Sequence, residues 1–451
     1  MKNFSKILIC LLLCVFSFSL FACKDNRTPE EKAFTYPTSA DLTTGNGGMA
    51  VQKGNYLYYV NGYKSILSSD RTQDERYTHG ALMLMKLNSD GTIVTDENNL
   101  LKDDYYITMS NLLCGFEVSS LYIAGEYLYF TACSVENVND KAVENEAAWA
   151  KEFVEFYRIK LNKSSKPERI YQADVKYAED SKFDFEYYSS GSNVFILIYE
   201  PGATLAKDSE KNNAIVKVTG SGDYSEVANN VSSYVFGENS NEVFYTTNEN
   251  SKTLVQYNAV EDEDGKTYTT RAKSFTIDSV SDGYVYITED GDLLASNLAN
   301  KTAFDEVCVT TSDYTKVIAD NGNVIAIRDN EFNFFGADLK INRTVKDNDA
   351  TTINVIGCVN SCVVYYADDN KTIKSFSYVD GTIKTLAVVE GLDTNYFDLE
   401  ENYVYFYKTV GSNPYLHRVK ISNNFGEEAE MVGVYLEADT PEIEKDEVIE
   451  E

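Results

Sequence analysis

The chain repeats a short strand rich in tyrosine, valine and phenylalanine, and the spacing of the copies constrains the fold more than any other feature. Eight copies begin at Tyr56, Tyr127, Val194, Val243, Tyr284, Val324, Val363 and Tyr403. The steps between these starts are 71, 67, 49, 41, 40, 39 and 40 residues. A period near 40 residues is typical of one four-stranded blade of a β-propeller.

Each copy has the same neighbours along the chain. A short strand and a tight turn precede it, as in SLYIAGEYLYF (120–130), and a second alternating strand and a glycine hairpin such as VDGT (379–382) follow it. The repeated strand is therefore strand B of a blade with strands A to D. We predict an all-β protein, a propeller of eight four-stranded blades. Seven blades are the alternative, if Val194 or Val324 begins a stray strand.

The N-terminus has the form of an export signal. Lys2 and Lys6 precede an uncharged run over residues 7–20, and the small residue Ala22 comes just before a cysteine. These are the parts of a cleavable secretory signal. The run is shorter than the roughly 20 residues that a membrane-spanning helix needs. We expect residues 1–22 to be removed on export.

The tetrapeptide Leu20-Phe21-Ala22-Cys23 resembles the lipobox of bacterial lipoproteins. In that family the signal is cut before the cysteine, which is acylated. The resemblance implies that Cys23 carries a stable lipid anchor and holds the protein outside the cytoplasm at a bacterial cell membrane. An ordinary secretory cut is the alternative. We expect residues 23–47 to be a polar tether.

The repeats themselves also resemble a family. An aromatic strand B followed by a glycine turn, over residues 48–436, looks like the repeats of bacterial surface lipoproteins of unknown function. These are related to the propellers of low-density-lipoprotein receptors. The resemblance implies a propeller domain over 48–436 and no defined activity. Those receptor propellers have six blades, whereas this chain has eight strand-B copies.

The first three repeats are longer than the others, and we place their extra residues between strands B and C, at 61–80, 134–153 and 200–213. Connections between B and C lie at one end of a propeller, and loops on a rigid scaffold often carry function. Residues 139–157 have apolar residues at helical spacing, which predicts a short helical insertion in blade 2.

Four aromatic residues in these insertions are candidate contacts for a protein or glycan partner. They are Tyr63, Tyr77, Trp149 and Phe153. Trp149 is the single tryptophan of the chain, and tryptophan is common at the centres of interfaces. Packing of the predicted helix against blades 2 and 3, with Trp149 inside, is the alternative.

The charge of the chain excludes one class of partner. The formal net charge is −31. Nucleic acid is bound largely through Lys and Arg that displace counterions, so we expect no nucleic-acid binding. Eight acidic residues and one lysine make up the charge of residues 437–451, which predicts a solvated, disordered tail.

No motif for chemistry is present. The sequence has no HExxH, no CxxC pair, no GxSxG and no P-loop, so we predict no cofactor and no metal site. Cys358 and Cys362 flank what reads as a three-residue turn between strands A and B, where a cross-strand disulfide is geometrically possible. Two small apolar side chains are an equally simple explanation.

These observations favour a lipid-anchored propeller that acts as a non-enzymatic binding or assembly module at the cell surface. The alternative is a polysaccharide lyase or hydrolase with carboxylates in the central mouth of the propeller. The sequence does not decide whether the protein is an enzyme, because its 71 acidic residues offer too many pairs.

Overall fold

The structure is a computed structural model. It describes residues 43–44, 48–61, 81–93, 105–106, 112–113, 121–134, 155–161, 167–172, 184–190, 193–200, 213–237, 241–261, 263–269, 275–281, 283–289, 292–299, 305–306, 314–320, 322–335, 340–400, 402–411, 413–422 and 428–433. All described residues lie within the compact unit of residues 36–451.

Blades 1 to 4 are antiparallel sheets, and the first two carry one additional strand each. Blade 1 contains β1 (Thr43–Thr44), β2 (Ala50–Lys53), β3 (Tyr56–Asn61), β4 (Ala81–Lys86) and β5 (Tyr105–Tyr106). Blade 2 contains β6 (Leu112–Leu113), β7 (Tyr122–Ala124), β8 (Tyr127–Ser134), β9 (Glu155–Lys160) and β10 (Glu168–Gln172). Blade 3 contains β11 (Asp184–Ser190), β12 (Asn193–Glu200), β13 (Ala214–Thr219) and β14 (Tyr224–Ala228). Blade 4 contains β15 (Val231–Phe236), β16 (Glu242–Thr247), β17 (Thr253–Asn258) and β18 (Glu263–Thr269).

Blades 5 to 8 are four-stranded antiparallel sheets in chain order. Blade 5 contains β19 (Phe275–Ser281), β20 (Tyr284–Glu289), β21 (Asp292–Asn297) and β22 (Asp305–Glu306). Blade 6 contains β23 (Lys316–Asp320), β24 (Asn323–Arg328), β25 (Glu331–Phe335) and β26 (Ile341–Lys346). Blade 7 contains β27 (Ile353–Val359), β28 (Cys362–Ala367), β29 (Thr372–Ser377) and β30 (Ile383–Val388). Blade 8 contains β31 (Leu392–Leu399), β32 (Tyr403–Val410), β33 (Asn413–Lys420) and β34 (Glu430–Met431).

The predicted eight-bladed propeller is confirmed. All eight aromatic copies are strand B of their own blade, including the copies at Val194 in β12 and Val324 in β24, so the seven-blade alternative is wrong. Strand B repeats because both of its faces are buried. In blade 8, Tyr403 and Tyr405 pack toward blade 1, whereas Val404 and Phe406 pack toward blade 7. Each such burial contributes about 1.5–3 kcal/mol.

A contact joins every neighbouring pair of blades near the innermost strands. In ring order the contacts are Leu121 N to Gly48 O (2.9 Å), the stacked rings of Tyr122 and Tyr187 (4.7 Å), Tyr234 OH to Asp184 Oδ2 (3.0 Å), Ile277 N to Ser233 Oγ (3.4 Å), Ala319 N to Ser279 Oγ (3.3 Å), Tyr378 OH to Asp320, the rings of Tyr366 and Phe397 (5.4 Å), and Met49 N to Asp398 Oδ2 (3.0 Å). The last of these closes blade 8 onto blade 1.

The strands alternate in direction, so the ring has two different ends. The connections from B to C and from D to A lie at one end, which we call the insertion face because 62–80, 135–154 and 201–212 leave from it. The turns from A to B, such as Gly54–Asn55, and from C to D, such as Val379–Asp380, lie at the other end, which we call the turn face.

Strands B and C bracket all three predicted insertions, but not all of the extra length lies there. Residues 87–121 separate strand C of blade 1 from strand A of blade 2, whereas the shorter segment 378–391 makes the same connection between blades 7 and 8. Part of the longer segment is β6, which pairs with the end of β8. The sequence missed this strand because two residues carry no periodic pattern.

The helical insertion in blade 2 is not supported. Most of residues 139–157 lies outside the described residues, and the last three, Glu155 to Tyr157, begin strand β9. Within the described ranges the only helical segment is a 3₁₀ turn, Asn248–Asn250. No helix in the part of the chain that the structure describes is long and apolar enough to span a membrane.

Candidate binding face

The third insertion leaves the ring from a strand end that is bonded on both sides. Glu200 is the last residue of β12, and it pairs with Ala214 at the start of β13. The insertion 201–212 lies between these two residues. The contacts of β12 near this point decide how rigidly the ring holds the two ends of the insertion.

On the side of blade 2, Tyr171 from β10 donates its hydroxyl to Glu200. The distance from Tyr171 OH to Glu200 Oε1 is 2.6 Å, and Glu200 is buried. The ring of Tyr171 stacks on Tyr224 at 5.6 Å and lies 5.8 Å from Phe156. This hydrogen bond and the two ring contacts of Tyr171 fix the strand end to the neighbouring blade.

On the side of blade 4, Tyr234 from β15 makes the matching contact. Its hydroxyl donates to Asp184 Oδ2 at 3.0 Å, and its ring stacks on Tyr199 at a centroid distance of 4.1 Å. Asp184 and Tyr199 are cross-strand partners in blade 3, so their side chains lie on one side of that sheet. The five residues Tyr171, Asp184, Tyr199, Glu200 and Tyr234 form what we call the root cluster.

The electrostatics of the root cluster favour a structural role for its tyrosines. Burial and then the charge of Asp184 raise the pKa of Tyr234 far above its usual range. Burial also raises the pKa of Tyr199. Both hydroxyls therefore stay protonated as donors near neutral pH, and neither acts as an acid or a base.

Most of the residues predicted from the sequence lie outside the described residues. These are the lipidation residue Cys23 and the candidate contacts Tyr63, Tyr77, Trp149 and Phe153. They remain predictions. The root cluster lies on the predicted face, at the base of the third insertion, and none of its members was a predicted site residue. Bonds between blades leave no local signal in the sequence.

The predicted cysteine pair is described, and its expected register is wrong. The turn has two residues, Asn360 and Ser361, both with positive φ (49° and 61°). Val359 pairs with Cys362, and Cys358 pairs with Val363. The two cysteines therefore lie on opposite faces of the sheet, and both are free thiols in the structure. Burial, and then Asp320, raises the pKa of Cys358 to about 12, which keeps this thiol protonated.

Six carboxylates lie on the innermost strands, on blades 3, 5, 6 and 8. They are Asp184, Glu186, Asp278, Asp320, Asp393 and Asp398. Three bond neighbouring blades, as given above, and Asp278 accepts a hydrogen bond from Thr288 Oγ1 at 2.6 Å. Burial raises the pKa of Asp278 to about 6. Among the described residues no group of three or more His, Cys, Asp or Glu side chains is placed to hold a metal ion.

Of the two histidines of the chain, His417 is described, and it is not suited to act as an acid or a base near neutral pH. Its Nδ1 lies 2.9 Å from the carbonyl oxygen of Tyr415, and its ring stacks on Phe406. Burial lowers its pKa to about 4. The other histidine, His79, lies outside the described residues.

No protein-family model matches the chain, and no curated protein matches its sequence. Among solved structures, the C-terminal WD40 domain of Sif2 is 9% identical with a TM-score of 0.43, over 68% of this chain and 82% of that one. A catalytically inactive virginiamycin B lyase from Staphylococcus aureus, solved with quinupristin, is 11% identical with a TM-score of 0.40, over 66% and 93%. BamB from Moraxella catarrhalis is 11% identical with a TM-score of 0.37, over 70% and 87%. At these values the likeness concerns the fold alone.

Proposed function

We propose that this protein is a lipid-anchored, extracytoplasmic binding or assembly module that takes a protein or glycan partner on the insertion face of blades 1–3. The propeller fold is consistent with a binding or assembly module. The lipid anchor at Cys23 and the location at a bacterial cell surface rest on the N-terminal sequence alone. The resemblance of the repeats to the propellers of low-density-lipoprotein receptors also remains a prediction.

The root cluster is the observation that carries the proposal. Binding loops are most effective when a rigid scaffold presents them, because less conformational entropy is lost on association. The ring holds the base of the third insertion with two tyrosine–carboxylate bonds, one from each neighbouring blade. The first two insertions leave from neighbouring blades at the same end of the ring, so the three form one sector.

Three of the six carboxylates on the innermost strands are engaged in bonds between blades, which argues against these three as the catalytic pair of the polysaccharide-enzyme alternative. Such an enzyme needs two carboxylates that face a substrate together. Asp184, Asp320 and Asp398 lie on blades 3, 6 and 8, and each accepts a hydrogen bond from the next blade. These three carboxylates therefore hold the ring together.

The test removes the third insertion and keeps the root cluster. Residues 201–212 are replaced by Asn-Gly, which together with Asn213 leaves a three-residue hairpin loop between Glu200 and Ala214, so that Glu200 and its bond to Tyr171 remain. Proximity crosslinking on living cells with mass spectrometry identifies captured proteins, and a glycan array tests for sugars. We expect the amount of captured partner to fall at least tenfold. The thermal unfolding midpoint should change little.

Val379→Glu is the control on the turn face. Val379 is 76% exposed, so the charge is introduced without disturbing the core. We expect this variant to capture the partner as wild type does. If matching deletions within all three insertions leave the captured partner unchanged, the insertion face is not the binding surface and the proposal is wrong.

A further inference from the structure

Blade 1 has an extra strand on the side that faces the axis of the ring. Strand A of this blade is β2, and its outer edge pairs with β3. Its inner edge pairs with β1, in the register Thr43 with Lys53 and Thr44 with Gln52. Strand A is the innermost strand of a propeller blade, so β1 lies inside the ring against the wall of the central channel.

The register gives the direction in which the chain enters the ring. Lys53 is the last residue of β2 and is followed by the Gly54–Asn55 turn, so it marks the turn face. Because β1 and β2 are antiparallel, the chain reaches Thr43 from the turn face and then runs toward the insertion face. Strand β2 runs back toward the turn face, and Gly48, which precedes it, has a φ of +93°. The N-terminal end of β1 therefore lies toward the turn face, opposite to the strand ends that bracket the insertions.

A second observation concerns charge on the same face. Strand C ends in a lysine in three consecutive blades of the ring, at Lys420 in blade 8, Lys86 in blade 1 and Lys160 in blade 2. Lys86 and Lys160 are exposed, and Lys160 also pairs with Glu126 at 2.8 Å. Strand C ends at the turn face. The adjacent turns of this face carry Asp90 and Glu126, so the three lysines offset these acidic residues and make that part of the ring less negative than the net charge of −31 suggests.

We infer that the turn face lies against the lipid surface and that the insertion face points away from it. The inference rests on the lipid anchor of the proposed function. A chain that leaves the channel at the turn face reaches a membrane on that side directly, whereas the reverse orientation requires it to pass around the rim. The lysines lie on blade 1, which carries β1, and on its two neighbours in the ring. The insertions are then accessible to a partner in solution or on another cell.

The experiment measures which end of the ring is nearer to the lipid. The chain that starts at Cys23 is coupled through its N-terminal aminothiol to an aldehyde lipid, a reaction that internal cysteines do not undergo. An azide-bearing amino acid replaces either Glu249 or Val260 and receives a donor fluorophore. Vesicles of phosphatidylcholine and phosphatidylglycerol contain an acceptor lipid, and energy transfer is measured.

The two label positions are a matched pair within blade 4. Glu249 is exposed in the 3₁₀ turn between β16 and β17, on the insertion face. Val260, which is 48% exposed, follows β17 on the turn face. The six residues of β17 separate the two ends by about 20 Å. We expect higher transfer efficiency from position 260 than from position 249. Equal or reversed efficiencies overturn the inferred orientation.

The lipid anchor is tested separately, so that failure of the proposed anchor can be distinguished from failure of the inferred orientation. Mass spectrometry of the N-terminal peptide from cells shows whether Cys23 is the first residue and carries acyl chains. An unacylated Cys23 contradicts the proposed anchor and removes the premise of the orientation in cells. With an acylated Cys23, the vesicle result alone decides the orientation.

Discussion

Tyr234 makes two different contacts through one side chain. Its hydroxyl donates to Asp184, and its ring stacks on Tyr199. Tyr234→Phe keeps the ring and removes the hydroxyl, so Asp184 loses this donor while the stacking remains. We expect the free energy of unfolding to fall by about 1–2 kcal/mol, because a partly buried carboxylate loses a hydrogen bond. Urea denaturation of both proteins measures the change.

Tyr284→Phe is the matched control for this substitution. Tyr284 also lies on a strand and stacks on a second tyrosine, Tyr286, but 38% of it is exposed. Its change in unfolding free energy should stay within about 0.5 kcal/mol. Equal losses in Tyr234→Phe and Tyr284→Phe would mean that the bond to Asp184 does not stabilise the ring.

The root cluster could not be predicted from the sequence, and the reason is physical. Each of its hydrogen bonds joins residues from different blades, so neither partner lies at a characteristic spacing from the other. Asp184 and Glu200 are two of 71 acidic residues, and nothing in their local sequence separates them from the rest. Trp149, in contrast, could be chosen as a candidate contact from composition alone, because it is the single tryptophan of the chain and lies in an insertion.

Strands differed in how well the sequence predicted them. Strand B is packed between two blades, so it needs apolar or aromatic side chains on both faces and can be recognised in all eight repeats. Strand D lies at the outer edge, and β26 is mostly exposed and polar, as edge strands often are. The two-residue strands β1 and β6 form only because a partner edge is available. Pairing of that kind depends on the finished blade and not on the local sequence.

The turn between strands C and D of blade 3 packs against the backbone of blade 2. Gly222 has a φ of +91°, and a Cβ there would lie 2.6 Å from the carbonyl oxygen of Ile170. Gly222→Ala therefore meets both an unfavourable backbone conformation and a collision that only a shift of one blade relieves. We expect a loss of about 2–4 kcal/mol in the free energy of unfolding.

Gly283→Ala separates these two effects. Gly283 also has a positive φ, +77°, but a Cβ there would meet nothing within 4 Å. Its cost should be the conformational term alone, about 1–2 kcal/mol. The difference between the two alanine variants in urea denaturation reports the contact between blades 2 and 3. No difference would show that this turn does not contribute to the packing of the blades.

Ring closure uses side chains and no exchanged strand among the described strands. Blade 1 is built from the N-terminal strands and blade 8 from the C-terminal ones. The two blades meet through Asp398, which accepts from the backbone N–H groups of Met49 and Ala50. Arg418 donates to the carbonyl oxygen of Gly91 at 2.7 Å. The junction therefore depends on two buried ionisable side chains, Asp398 and Arg418.

Asp398 is expected to make this closure sensitive to pH. Burial raises its pKa to about 7, although the two backbone donors act in the opposite direction. Between about pH 4 and pH 7 the folded ring therefore binds a proton that the unfolded chain has released. The stability that this group contributes is complete below the unfolded pKa and is lost as the pH rises through 7.

Asp398→Asn removes the titrating group and keeps an oxygen acceptor for Met49 and Ala50. Between pH 5 and pH 8 we expect the free energy of unfolding of the wild type to fall by about 2–3 kcal/mol relative to that of the variant, because only the wild type must bury a charge at the higher pH. Urea denaturation at the two pH values measures this. His417, whose lowered pKa of about 4 changes stability in the opposite direction, is present in both proteins, so its contribution cancels. A difference between the proteins that is the same at both pH values would show that Asp398 closes the ring without responding to pH.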